Sequence, residues 1–200
     1  TIQFAMGLRS PAGISASPEG KFYYTENQGE YNGTSKMHLV QKGNYYGHPS
    51  GLVDVPGMKP DSPEIAWDKW APKRAVSVAL LPHGRIANAP GSPTWDTTGG
   101  KFGPVTGDIY CGDQTLSTLF RIALKPKNEA ALIHFADGFP SGLMRQTFDN
   151  KGAMYVGQTG RGWRARGGSQ HALVKLTYTE NDSPQLKDIS RKSDTFTLHF

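Results

Sequence analysis

Apolar and polar residues along this 200-residue chain alternate in short runs. The runs KFYYTE (21–26), SKMHLV (35–40), AVSVALL (75–81), GDIYCGD (107–113), TLFRIAL (118–124), ALIHFA (131–136), LMRQTFD (143–149), GAMYVGQ (152–158) and HALVKLTY (171–178) carry aromatic and β-branched side chains between turn formers. Period-two patterning of this kind sets one face of a segment against a core, as strands require. No window of about twelve residues sustains an i, i+3, i+4 apolar stripe without an interrupting Gly or Pro. The pattern predicts an all-β chain.

Some of the runs resemble one another. PAGISASPEGKFYYTENQG (11–29) aligns with SGLMRQTFDNKGAMYVGQTG (141–160): a strand, a polar turn ending in Gly20 or Gly152, a second strand, then a polar exit with Gly. GDIYCGDQ (107–114) repeats the second strand and its exit, and SKMHLV, TLFRIAL and HALVKLTY close the units. SPEG and DNKG are hairpin chemistry. Units recurring roughly every forty to fifty residues point to β-propeller blades, each sheet burying its faces against its neighbours. Three units are visible, and residues 41–100 hold either a long insertion or a degenerate fourth. Three or four blades close a ring poorly, so residues 1–178 read as blades of a partial propeller, either a fragment of a larger one or one that needs a partner to cover its end blades. Residues 179–192 read as a polar linker, and TFTLHF (195–200) as the first strand of something further.

Composition narrows the function classes. Gly (24) and Pro (14) are abundant while charged residues are 20%, a mix with enough apolar side chains for a core and unlike a disordered chain. The net charge of +5 is spread along the sequence apart from Arg161, Arg164 and Arg166, which argues against a nucleic-acid partner. No run reaches the eighteen or so apolar residues of a membrane span. Cys111 is the one cysteine, which excludes an intrachain disulfide and fits a buried strand position. The six histidines lack metal-ligand spacing, and no Gly-x-Ser-x-Gly elbow or Cys/His pair supports nucleophilic catalysis. Sequons stand at Asn32-Gly33-Thr34 and Asn181-Asp182-Ser183.

LRSPAGI (8–14), YYTENQG (23–29), KGNYYGHP (42–49), FGPVTGDIYCGDQTLSTLFRIAL (102–124) and GGSQHALVKLTY (167–178) follow one another in an order that resembles the soluble quinoprotein glucose and sorbosone dehydrogenases. The similarity extends to the large bacterial proteins named membrane-bound or sorbosone dehydrogenase-like, and covers most of residues 4–178. It implies that the chain is a partial six-bladed propeller, the later half of one that oxidises a sugar or alcohol by hydride transfer to pyrroloquinoline quinone (PQQ) over the central mouth, with calcium beside the quinone. It also implies a haem protein or dye-like electron acceptor and a periplasmic or extracellular location.

Carried onto this sequence, Arg9 falls where an arginine faces the quinone, and a guanidinium suits a cofactor carboxylate. Gln28 and Gly29 fall in the loop of cofactor and calcium contacts, with Glu30 beside them as a candidate calcium ligand. The family's lysine position is Thr115, and its paired arginines fall on Gly142 and Met144, with Arg145 adjacent. The family's catalytic His belongs to an earlier blade, so it is expected upstream of Thr1. The exits at Asp113-Gln114 and at 158–160 are expected to share one mouth with Gln28-Gly29. GQTGRGWRARGG (157–168) adds Arg161, Arg164, Arg166 and Trp163 as an anion- or sugar-binding rim, or simply a solvated loop. His48, in the Gly-Asn-Tyr-Tyr-Gly-His-Pro corner, reads as a packing ring rather than a base. A propeller that binds a carbohydrate or partner protein without catalysis is the alternative.

Overall fold

A computed structural model of the chain describes residues 2–53, 55, 57–59, 63–160, 164–180 and 184–200. Three antiparallel sheets follow one another along it. The first contains β1 (Pro11–Ala16), β2 (Phe22–Glu26), β3 (Ser35–Leu39) and β4 (Ala79–Leu81), in that spatial order. The second contains β5 (Thr94–Trp95), β6 (Ile109–Asp113), β7 (Thr118–Lys125) and β8 (Glu129–Ala136), and the third β9 (Leu143–Phe148), β10 (Met154–Thr159) and β11 (His171–Leu176). This meander order, repeated, is the partial β-propeller that the alternation predicts. The SPEG and DNKG turns form as expected. Gly20 and Gly152 sit at φ of +77° and +88°, and the Asp149 carboxylate accepts the Lys151 and Ala153 N–H groups.

Two clusters glue the blades together. Tyr23, Met37, Val78 and Leu81 of the first blade pack on Ile109, Cys111, Phe120 and Ile122 of the second. Tyr110 and Leu119 then pack on Leu143, Met154 and Val156 of the third. Each fully buried Leu, Ile or Phe contributes roughly 1.5–3 kcal/mol. Close approach between blades needs missing side chains: a Cβ on Gly142 would lie 2.1 Å from the Gln114 carbonyl oxygen, and one on Gly112 would lie 2.3 Å from the Leu143 Cβ.

Residues 40–78 settle the choice left open for the interval after β3. They are an insertion inside the first blade, between β3 and β4, and their described residues contain the α-helical turn α1 (Trp67–Trp70) with 3-10 turns at Pro49–Leu52, Pro63–Ile65 and Ala71–Lys73. They cover the face of that blade turned away from the second. Tyr23 and Thr25 point at blade two, so strand alternation sends Tyr24 and Glu26 to the opposite side. There the Tyr45-Tyr46 corner closes over them. Met6 N–H donates to Asn44 O, Tyr46 N–H to Met6 O, His48 N–H to Gly7 O and Ala75 N–H to Tyr45 O, forming a small cap. Tyr46 is fully buried, donates its hydroxyl to Leu39 O (2.7 Å) and accepts the Gln41 N–H (2.7 Å). The third blade has no such cap among the described residues. Arg145, Thr147, His171, Leu173 and Lys175 on its outward face are exposed.

The last segment departs from the sequence reading. Residues 188–192, expected as linker, form β12 (Asp188–Lys192), and TFTLHF supplies its partner β13 (Thr195–His199), the second strand of a hairpin rather than a first strand. The hairpin's lead-in is tied to the second blade: the Arg121 guanidinium donates to Leu186 O, Lys125 donates to Ile189 O, and Lys125 pairs with Asp188 at 2.8 Å. The sequence shows no periodicity that reveals a tie of this range. AVSVALL also shortens, to Ala79–Leu81. No helix among the described residues is long and apolar enough to cross a membrane.

Candidate functional site

The second strand of each blade ends in a buried polar side chain at the same place: Glu26 on β2, Asp113 on β6 and Gln158 on β10. Each accepts from the backbone that leads into its own blade. Asp113 accepts the Asn88 and Ala89 N–H groups (2.7 and 2.6 Å) and also that of Leu116 (2.6 Å). Gln158 accepts the Ser141 N–H at 3.0 Å, and the Arg9 backbone bonds Glu26. Burial raises the Asp113 and Glu26 carboxyls above the ordinary range, and these hydrogen bonds pull the other way. The side chains pin each exit loop to the start of its blade, so at Asp113 and Gln158 the exit residue is scaffold.

The first exit is tied to the lead-in of the second blade, and the second exit to the start of the third and to the loop before β11. Gln28 N–H donates to the Ser35 hydroxyl, which donates to Asn88 O, and Gln114 touches Gly142. Arg166 N–H donates to Thr115 O. They form one rim.

At the first blade's end of this rim the predicted residues meet. The half-buried Arg9 side chain lies across Gly29, where a Cβ would fall 2.1 Å from the guanidinium carbon, and its Nη1 donates to Gln28 O at 3.2 Å. Arg9 forms no ion pair among the described residues, so its charge is free for an anionic group. Gly29 and Asn32 exchange N–H and C=O bonds of 2.9 Å around Glu30 and Tyr31, a two-residue hairpin turn. His48 joins the cluster edge-on to Tyr31, with centroids 5.9 Å apart. Burial lowers its pKa, Arg9 lowers it further, and Glu30 opposes both. His48 thus stands as a neutral ring packed edge-on against Tyr31.

The other predicted residues stand apart. Arg145 lies on β9, paired across the sheet with Gly157, and its guanidinium donates to the Met144 carbonyl beside it. Arg161 and Trp163 fall outside the described residues, as does the second sequon. Asn32 of the first sequon is buried, and its Nδ2 donates to Glu26 Oε1 (2.5 Å) and Asn27 O (3.0 Å).

The chemistry fits an anionic cofactor better than a cation at this turn. Gln28 O already faces a guanidinium, and Gly29 O accepts the Asn32 N–H. A calcium ion here would sit against the positive charge of Arg9, so Gly29 and Glu30 do not fit one. Among the described residues no group of three or more His, Cys, Asp or Glu side chains is placed to hold a metal.

No protein-family model matches the chain, and no curated protein does. Solved structures do. An oxidoreductase (glucose dehydrogenase) from Thermus thermophilus is 20% identical with a TM-score of 0.57, over 86% of this chain and 46% of that one. The PQQ-bound form of aldose sugar dehydrogenase from Streptomyces coelicolor is 16% identical with a TM-score of 0.57, over 87% and 45%. A glucose dehydrogenase reaches 0.60 at 14% identity, over 88% and 47%. The fold is that of the sugar-dehydrogenase β-propellers. The chain spans just under half the length of these structures.

Several members of the Arg9 cluster were not legible in advance. Tyr31, Trp67 and Arg74 come together with the corner from separated positions. The Tyr31 and Trp67 rings are 5.1 Å apart, and Arg74 Cδ packs where a Gly47 side chain would begin, 2.6 Å from its Cβ position. A signal for Glu26 and Asp113 does exist: the repeated end of FYYTE and IYCGD.

Proposed function

We propose that this chain forms part of the mouth of a quinoprotein-type sugar or alcohol dehydrogenase, with Arg9 as an anchor for a carboxylate of pyrroloquinoline quinone. The observation that carries it is the guanidinium of Arg9, held over Gly29 on the blade rim and free of any ion pair among the described residues. The likeness of fold to a PQQ-bound aldose sugar dehydrogenase supports the choice of cofactor. Bound there, the quinone supplies a two-electron acceptor for hydride. Arg9 would orient it, and Gly29, without a side chain, lets the guanidinium lie close over the turn. A haem protein or other acceptor would take the electrons, and the remaining blades or another subunit would complete the ring.

A second reading is a mouth that binds carbohydrate without oxidising it. Its support is that the carbonyls of Gln28 and Gly29 are already engaged by Arg9 and Asn32. Sugar-dependent reduction of a redox dye by the full-length protein, after addition of PQQ with and without calcium, separates the two. Turnover upholds the dehydrogenase. Quinone or sugar binding with no turnover under any condition upholds the binding module.

A further inference from the structure

A groove of about 480 Å³ lies beside the β6–β7 turn, apart from the Arg9 cluster and sharing no residue with it. Four connections line it: residues 84–85 between β4 and β5, 116–118 in the β6–β7 turn, 137–140 between β8 and β9, and 166–167 before β11. Backbone hydrogen bonds fix these segments. The Arg85, Ile86 and Ala87 N–H groups all donate to Pro82 O, and Gly84 N–H donates to the Asn88 side chain at 2.6 Å. Across the groove, Arg166 N–H donates to Thr115 O, Ser169 N–H to Pro140 O and Gly167 N–H to the buried Ser117 hydroxyl. Gly167 presses so close to the 137–140 segment that a Cβ there would fall 2.2 Å from Phe139 O. Arg85 and Arg166 therefore project from backbone that is already set.

Neither arginine forms an ion pair among the described residues, although both line the groove. Two such guanidiniums suit one oxyanion, which accepts their planar, charge-assisted N–H donors. The lining also holds one carboxylate, Asp137, whose Oδ2 lies 3.8 Å from His134 Nε2. Asp137 repels a second negative charge and accepts from a hydroxyl instead. Ser117 and Thr118 add hydroxyls to the lining. The volume is that of a site for a small molecule. We infer that this groove is a second ligand site, which takes a small hydroxy acid bearing a single carboxylate, with Arg85 and Arg166 on the carboxylate and Asp137 on a hydroxyl. A polyanion is disfavoured there, which separates this site from the anchor at Arg9. The assignment stands without the quinone reading.

The test is isothermal titration calorimetry of the full-length protein, without quinone, using sodium gluconate as the probe. Inorganic phosphate supplies the anion alone and D-glucose the hydroxyls alone. The expected result is saturable gluconate binding, weakened about tenfold in Arg85→Gln and in Arg166→Gln at unchanged melting temperature. Arg145→Gln removes the same charge from the exposed face of the third blade and is expected to bind as the parent does. Phosphate and glucose are expected to bind at least about tenfold more weakly than gluconate, since each meets only part of the lining. No gluconate binding, or binding that both groove variants leave unchanged, overturns the inference. Phosphate held as tightly as gluconate also overturns it, because the groove then selects charge and not a hydroxy acid. Gluconate binding lost in Arg9→Ala but kept in the groove variants moves the acid to the first blade and overturns it as well. Gluconate bound through Arg85 and Arg166 while PQQ fails to bind leaves this site standing and removes the quinone reading.

Discussion

The imidazole of His38 lies nearly parallel to the ring of Tyr24, its cross-strand partner, with centroids 5.3 Å apart and planes 19° apart. Tyr46 closes the other side at 4.9 Å, and neither ring nitrogen makes a well-formed hydrogen bond. The ring is sealed beneath the cap that residues 43–48 build.

Burial there, reinforced by Lys36 and Arg74, lowers the His38 pKa to about 3, and the Val76 backbone opposes only weakly. The folded state thus holds His38 neutral while the unfolded chain protonates near 6.5. Its contribution to stability is complete above a pH of about 6.5 and is lost as pH falls toward 3, on the order of 4 kcal/mol at the acid end. His38→Phe keeps the ring stack without the proton site. It is expected to be within about 1.5 kcal/mol of the parent at about pH 7 and flatter in melting temperature between about pH 6.5 and 4. Equal pH slopes in the two proteins contradict this.

Asp113→Ala removes the acceptor for three backbone N–H groups beside a blade contact. The expected loss is about 3–5 kcal/mol in urea unfolding, with Asp113→Asn well below half of that because one acceptor oxygen remains.

Gly142→Ala drives a methyl group to within 2.1 Å of the Gln114 carbonyl oxygen, backbone that cannot swing aside. Blades two and three must separate locally, and about 1–3 kcal/mol of stability is expected to go. A neutral result by thermal melting would mean that the blades pack less closely than described.

Asn32 sits in a sequon, yet its amide is buried against Glu26. No glycan is expected at Asn32 in protein from a glycosylating host, by intact-mass measurement. Asn32→Ala should cost about 1–3 kcal/mol by leaving Glu26 Oε1 short of a donor.

The blades were legible because strand alternation and turn chemistry are local: FYYTE, IYCGD and the DNKG turn each carry their structure in a few residues. The order of motifs, which resembles a family's, singled out Arg9, Gln28 and Gly29 separately; that the guanidinium lies across Gly29 emerged only from the fold. What stayed hidden is long-range. The cap joins residues 4–7, 43–48 and 74–75 through backbone hydrogen bonds that leave no side-chain pattern. The ties of Arg121 and Lys125 to Leu186 and Ile189 span more than sixty residues and are likewise backbone contacts at one end. Tyr31 is hidden for another reason, since its φ of +59° follows from turn geometry and not from residue type.

Anchoring of an acidic quinone by Arg9 on the blade rim is tested most directly by equilibrium titration of the full-length protein with PQQ. Quinone absorbance is followed for the parent and for Arg9→Ala. The expected result is saturable binding that weakens at least about tenfold in the variant, the loss of one charge-assisted contact. No binding to the parent, or equal binding to both proteins, would contradict it.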